Sequence, residues 1–131
     1  MLIWKSYRFE AAHFLPGVPP THKCSKNHGH SYKIRVAVFG KPDPKTGFVM
    51  DYGDISEVVK RLVVNRLDHT TLNDIIKNPT AELLAIWIWN RLKQEIPNLE
   101  QVEVQETDTS GALYSGETYD HPELLTGEFT A

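Results

Sequence analysis

One cysteine in 131 residues rules out an internal disulfide and points to a reducing compartment, the cytoplasm. No apolar run is long enough to span a bilayer, and Met1-Leu2-Ile3-Trp4-Lys5 does not read as a signal peptide. Runs of like charge are also missing. The formal net charge is −3, so neither nucleic acid nor an anionic membrane surface is indicated as a partner. There is no internal repeat, low-complexity tract or linker. With 40% hydrophobic and 24% charged residues the composition is that of one globular domain. What is present in excess is histidine in one place: four of the six lie between His13 and His30.

The hydrophobic pattern divides the chain into strands and helices. Leu2 to Phe9 reads as a strand with Ile3, Tyr7 and Phe9 inward and Lys5 as the exception; the same parity continues to Ala11 and His13. A loop rich in proline and glycine covers Leu15 to Asn27. Tyr32, Ile34, Val36 and Val38 alternate with polar or small residues in a second strand. Phe48 to Met50 is expected to return as a short strand. A first helix is expected from near Asp54, with Asp54 and Glu57 as a capping box. Its apolar stripe is Ile55, Val58, Val59, Leu62, Val63 and Leu67. A second helix follows from about Thr80 to Ile96, burying Leu84, Trp87, Ile88 and Leu92. Leu99 to Thr107 and Ala112 to Thr118 read as strands joined at Ser110-Gly111. The order gives an α+β fold, a four-stranded antiparallel sheet with two helices packed on one face. The domain covers residues 1–119, with 120–131 a loose tail. The exposed sheet edges invite self-association.

The chemistry concentrates in Cys24-Ser25-Lys26-Asn27-His28-Gly29-His30. His28 and His30 share the inward parity of their strand, and His13 ends the neighbouring strand on its own inward parity. If the two strands pair antiparallel, three imidazoles meet at one end of the sheet. Three neutral imidazoles with an open fourth position suit a catalytic zinc ion better than magnesium or calcium. His22 is read as solvated or as a group behind the ligands, and His121 receives no role. Cys24 is either a small buried apolar residue or, beside Lys23, Ser25 and Lys26, an activated base or nucleophile. Glu106 continues the apolar parity of Val102 and Val104. It is either a solvated strand end or an anchor for a ligand edge with two adjacent N–H donors. Asp68-His69 either terminates a helix or sets the tautomer of a catalytic imidazole.

These residues carry a resemblance. Phe9-Glu10-Ala11-Ala12-His13, Cys24-x-x-x-His28-Gly29-His30, Leu67-Asp68-His69 with Leu72-Asn73, Asn78-Pro79-Thr80-x-Glu82, Trp87-Ile88-Trp89 and Glu106-Thr107 occur in the order found in the 6-pyruvoyl-tetrahydropterin synthase family. Within it they look most like the bacterial carboxy-forming branch of queuosine biosynthesis. The resemblance implies zinc on His13, His28 and His30, with Cys24 as proton acceptor. It implies Asp68 and His69 as a relay, Glu106 as the pterin anchor, and Thr80 at the pterin edge. It implies the tunnelling fold, in which trimers close their sheets into a barrel and stack in pairs as hexamers. It also implies a substrate, 7,8-dihydroneopterin triphosphate. Carboxy-forming members cleave its side chain to 6-carboxy-5,6,7,8-tetrahydropterin, acetaldehyde and triphosphate; pyruvoyl-forming members eliminate triphosphate alone. A relative with glutamate beside His-Gly-His fits less well, because Cys24 is present and Asn27 precedes His28. A zinc-stabilised, non-catalytic pterin-binding oligomer is the alternative of another class.

Overall fold

The computed structural model describes residues 1–126. Two long strands, β1 (Leu2–His13) and β2 (His28–Phe39), form its centre. They pair antiparallel without interruption from Leu2↔Phe39 to His13↔His28. Alternation of the kind seen at Tyr32, Ile34, Val36 and Val38 puts one face of each strand into the core, and all four side chains are fully buried. Tyr7, Phe9, Ala11 and His13 of β1 are buried on the same face, as their parity requires.

The helices cover that face. α1 (Tyr52–Val59) continues through a π-helical stretch, Lys60–Val64, into a last α-helical turn, Asn65–Leu67. It begins at Tyr52 rather than near Asp54. The cap is Asp51, whose carboxylate accepts from the Gly53 N–H at 2.7 Å, so the expected Asp54/Glu57 box is not what starts it. Ile55, Val59, Val63 and Leu67 are fully buried. The Arg91 guanidinium reaches across to donate to the Leu62 carbonyl at 2.7 Å, giving the π-helical stretch a partner for one of its carbonyls.

The sheet has five strands and is mixed, which corrects the expected four-stranded antiparallel arrangement. The added strand is β3 (Thr70–Thr71), parallel to β1 at Ala11↔Thr70 and Ala12↔Thr71. Two residues are too few to show any period, so no pattern in the sequence could have marked them. Next, α2 (Ala81–Lys93) buries Leu84, Trp87, Ile88 and Leu92 against the sheet, then leads into β4 (Leu99–Thr107) and β5 (Ser110–Tyr114). The sheet order is β3-β1-β2-β4-β5. β5 stops short of Thr118 because the chain turns at Gly116, whose φ of +91° suits glycine and whose missing Cβ would lie 2.6 Å from Trp89. Phe48 to Met50 forms no strand; this segment follows a turn held by the Asp43 carboxylate, which accepts from the Lys45 and Thr46 N–H groups.

A smaller apolar cluster lies on the other side of α2, where Leu83 and Ile86 meet Leu125. The Asn78 N–H donates to the Leu124 carbonyl at 3.2 Å. Residues up to 125 therefore pack on α2 rather than hanging free; 127–131 of the expected tail lie outside the described residues. Leu125→Ala is expected to lower stability by about 2–3 kcal/mol in urea unfolding. Leu113→Ala, on the exposed side of β5, should change it by less than about 0.5 kcal/mol. Equal losses would contradict the packing of the C-terminal stretch.

Candidate metal centre and active site

The β1–β2 register makes the site. His13 stands opposite His28 and Ala11 opposite His30, so three imidazoles of inward parity crowd one end of the sheet. Their candidate ligand nitrogens all lie within 4.8 Å of one another. Each ring is held from behind by a backbone carbonyl. His13 Nδ1 pairs with Pro79 O at 2.8 Å, His28 Nδ1 with Lys26 O at 2.8 Å, and His30 Nδ1 with Ser31 O at 3.0 Å. A carbonyl only accepts, so each Nδ1 carries the proton and each Nε2 keeps its lone pair. The Nε2 atoms of His13 and His28 are 3.1 Å apart. Two lone pairs at that distance repel unless a cation or proton sits between them. The separation is close to the roughly 3.4 Å expected between two nitrogens on one tetrahedral zinc. The donor set and its tethering therefore fit a divalent ion of zinc type.

His13 is 1% exposed. Burial holds its pKa below the ordinary histidine value, reinforced by His28 and His30 and opposed by the Pro79 carbonyl and Glu106. It is therefore the neutral ligand form that is stable near pH 7.

Cys24 sits in a short 3₁₀ turn, Lys23–Ser25, capped by His22 Nδ1, which accepts from the Cys24 N–H at 3.0 Å. Its carbonyl receives the Leu15 N–H at 2.8 Å, closing the proline-rich loop. The half-buried thiol lines a cavity of about 500 Å³ with His28, His30, Glu106 and Thr107. Glu106, on the inward parity of Val102 and Val104, lines that cavity at the bulge where β4 and β5 break register between Gln105 and Thr107. A second cavity of about 590 Å³ joins Glu106 to Thr80, Glu82 and Leu15. Thr80 caps α2, its hydroxyl accepting from the Leu83 N–H at 3.1 Å.

Asp68 and His69 do pair, with His69 Nδ1 3.0 Å from Asp68 Oδ1. The Asp68 carboxylate also accepts from the Glu10 N–H at 2.8 Å. That backbone bond, aided by His69, holds its pKa below the usual carboxylate value. His69 adopts a left-handed φ of +61° and donates its backbone N–H to Glu10 O at 2.6 Å. Its ring is exposed and lines a depression with Glu10, Gly29, His30 and Thr70. Within one chain, Cys24 and His69 therefore line different cavities, with His30 a wall of both.

Sequence reasoning missed the groups that sit behind the site. The Pro79 carbonyl carries no side-chain signature at all. Tyr32 reads from sequence as one more inward residue. In the structure its ring lies 4.1 Å from that of His30 and stacks on Phe9 at 5.1 Å. Its hydroxyl is buried without a partner among the described residues. Burial, then the nearby Glu106 and Cys24 charges, push the phenol well above its normal pKa, so it stays protonated.

His28→Ala is expected to abolish metal retention after gel filtration, read by elemental analysis; full occupancy would refute the ligand set. A pH series on metal-free protein tests His13. Its folded pKa lies below its unfolded value of about 6.5, so the unfolded chain takes up the proton first. Stability should be fully present above about pH 6.5 and fall as pH drops toward the folded pKa. His13→Gln should flatten that part of the curve.

Known proteins carry the same pattern. The sequence pattern described as 6-pyruvoyl tetrahydropterin synthase matches residues 2–117. The chain is 42% identical over 120 residues to the 6-carboxy-5,6,7,8-tetrahydropterin synthase of Synechocystis, covering 86% of this chain and 92% of that one. It is 36% identical over 106 residues to human 6-pyruvoyl tetrahydrobiopterin synthase, 72% of each chain. The Caenorhabditis elegans 6-pyruvoyl tetrahydropterin synthase structure superimposes with a TM-score of 0.80 at 26% identity, covering 89% of this chain and 96% of that one. Matches of this extent, on a fold whose sheet end gathers three histidines, a cysteine and a glutamate, place the chain in the 6-pyruvoyl tetrahydropterin synthase family.

Proposed function

We propose that the chain is the zinc-dependent lyase of queuosine biosynthesis. It would convert 7,8-dihydroneopterin triphosphate to 6-carboxy-5,6,7,8-tetrahydropterin, acetaldehyde and triphosphate. The observation that carries the reading is the convergence of His13, His28 and His30 beside a cavity that also holds Cys24 and Glu106. The carboxy-forming product is preferred because the Synechocystis relative of that name matches at 42% over 92% of its length, against 36% over 72% for the human pyruvoyl-forming one.

The residues divide the work. Glu106, free to accept two hydrogen bonds, orients the pterin through its 2-amino and ring N–H groups. Thr80, on the wall shared with Glu106, contacts the pterin edge. His13, His28 and His30 would hold zinc, which when bound supplies Lewis acidity at the side-chain oxygens. Cys24 would take a proton from the substrate side-chain carbon beside the metal centre, and His69, set by Asp68, would return protons to the departing fragments. Cys24 and His69 line different cavities of one chain, on either side of His30, and in this reading a neighbouring copy completes the relay. Trimers, or dimers of trimers, closing their sheets into a barrel would bring them together and cover the edge strands. Residues 1–119 form the catalytic domain in this reading and 120–131 an extension. The cytoplasm is the proposed location; among the described residues no helix is long and apolar enough to cross a membrane.

Incubation of the zinc-loaded protein with dihydroneopterin triphosphate should release acetaldehyde together with 6-carboxytetrahydropterin. A pyruvoyl product without acetaldehyde would move the chain to the other branch; no turnover with zinc bound would leave a pterin-binding oligomer. Cys24→Ala should lower kcat by about 10²–10⁴-fold with zinc content unchanged. Glu106→Gln should weaken pterin binding and spare zinc.

A further inference from the structure

The outer face of the sheet carries a charge pattern that the chemistry above does not use. Outward residues of β1 and β2 face one another in fixed pairs, and two of the charged ones, Glu10 and Arg35, find a partner. Glu10 accepts from the Ser31 hydroxyl at 2.7 Å. Arg35 pairs with Glu103 of β4 at 2.8 Å and lies over the Trp4 ring. Between these two arrangements, Arg8 stands directly opposite Lys33. Neither cation has an ion pair or side-chain hydrogen bond among the described residues. Like charges directly opposite on a sheet destabilise it. A local conflict of this kind in an otherwise consistent fold marks a place where something outside the chain supplies the missing charge.

A cavity of about 370 Å³ lies beside the pair, lined by Arg8, Ser31, Lys33 and Gln105. Its remaining wall includes His30, Glu106 and Thr107, which also line the Cys24 cavity. The two spaces therefore adjoin at the candidate metal centre. Asp108 and Glu106 both line this cavity and oppose an anion there; with Glu106 given to the pterin, Asp108 is the one carboxylate left against two cations.

We propose that Arg8 and Lys33 form the subsite for the triphosphate arm of the substrate, a deepening that rests on the pterin triphosphate reading. The guanidinium offers planar, bidentate donation to phosphate oxygens, and the ammonium adds a compact charge beside it. Both stand on paired strands whose register is fixed, so the two charges are held together before the ligand arrives. Lys23 and Lys26 flank Cys24 on its short turn, but neither lines the cavity beside Arg8 and Lys33, and only Lys23 lines the Cys24 cavity.

The test uses the full-length, zinc-loaded protein and two unreactive oxidised pterins, neopterin triphosphate and neopterin, titrated by pterin fluorescence. Wild type should prefer the triphosphate, with the preference falling as salt rises. Arg8→Gln and Lys33→Gln should each weaken neopterin triphosphate about tenfold while changing neopterin less than about twofold. Lys33→Arg should keep the preference. Because each Gln variant removes a repulsion on an exposed face, its Tm should hold or rise, which separates a binding effect from misfolding. Variants that keep the wild-type preference, or a wild type that binds neopterin with no preference for its triphosphate, would overturn the subsite alone. Binding of neither pterin would overturn the proposed function and the subsite with it.

Discussion

The register between β1 and β2 is the constraint on which the site depends. Side chains alternate along a strand, so slipping one strand by a single residue would send its whole inward set to the other face. That slip would take His13 away from His28 and His30, and Phe9 away from Tyr32. The apolar pairs therefore hold the polar ones in place. Phe9 stacks on Tyr32 at 5.1 Å, and Ile34, Val36 and Val38 are fully buried beneath the helices. Each such side chain contributes roughly 1.5–3 kcal/mol by leaving water. The repulsion between two unprotonated imidazole nitrogens is carried by the same ladder, because the strands cannot shift apart at one end without losing the core.

Three carbonyls then turn a cluster of rings into a set of ligands. Pro79, Lys26 and Ser31 come from a helix entry, a loop and the strand itself. Each takes the Nδ1 proton and leaves Nε2 as a lone pair, so the tautomer is settled before any metal binds. Pro79 is the most distant in sequence, and its position is fixed from both sides. Thr80 caps α2 immediately after it, and the Asn78 N–H is tied to Leu124 just before it. The second small core, around Leu125, thus bears on the geometry of His13 although it touches none of the ligands.

The sequence showed what periodicity and residue chemistry can show. Two long strands, two helices and the inward parity of His13, His28 and His30 were all legible, because alternation and helical spacing are set by burial. The parts that were not legible have a common cause: they depend on backbone contacts between distant segments. β3 is two residues long and exists because Thr70 and Thr71 lie against Ala11 and Ala12. The start of α1 moved to Asp51, since an aspartate cap needs only a nearby N–H and several acidic residues in that stretch could supply it. The pairing of Asp68 with His69 was readable, but its separation from Cys24 was not. That separation comes from the left-handed turn at His69 and its backbone bond to Glu10.

Stability and chemistry occupy different lengths of the same strands. The middle of β2 and β4 is fully apolar on its inner face, at Ile34, Val36, Val102 and Val104. Apart from Lys5 and the Tyr7 hydroxyl, which meets Ser56 Oγ at 3.0 Å in the middle of β1, the polar groups sit where the ladder ends or breaks: His28 and His30 at the start of β2, His13 at the end of β1, Glu106 at the bulge of β4. A bulge in the middle of β4 would have cost core contacts; near its end it falls at Glu106 while Val102 and Val104 stay packed. The buried Tyr32 hydroxyl marks the boundary between the two regimes. Its ring belongs to the core by contact with Phe9, and its pKa responds to Glu106 and Cys24. A phenol kept protonated at that boundary is a donor with no acceptor among the described residues. The last apolar layer beneath the metal centre thus already carries an unpartnered polar atom, a cost the fold also accepts at Trp87 Nε1 on α2 and at Asn78 Oδ1.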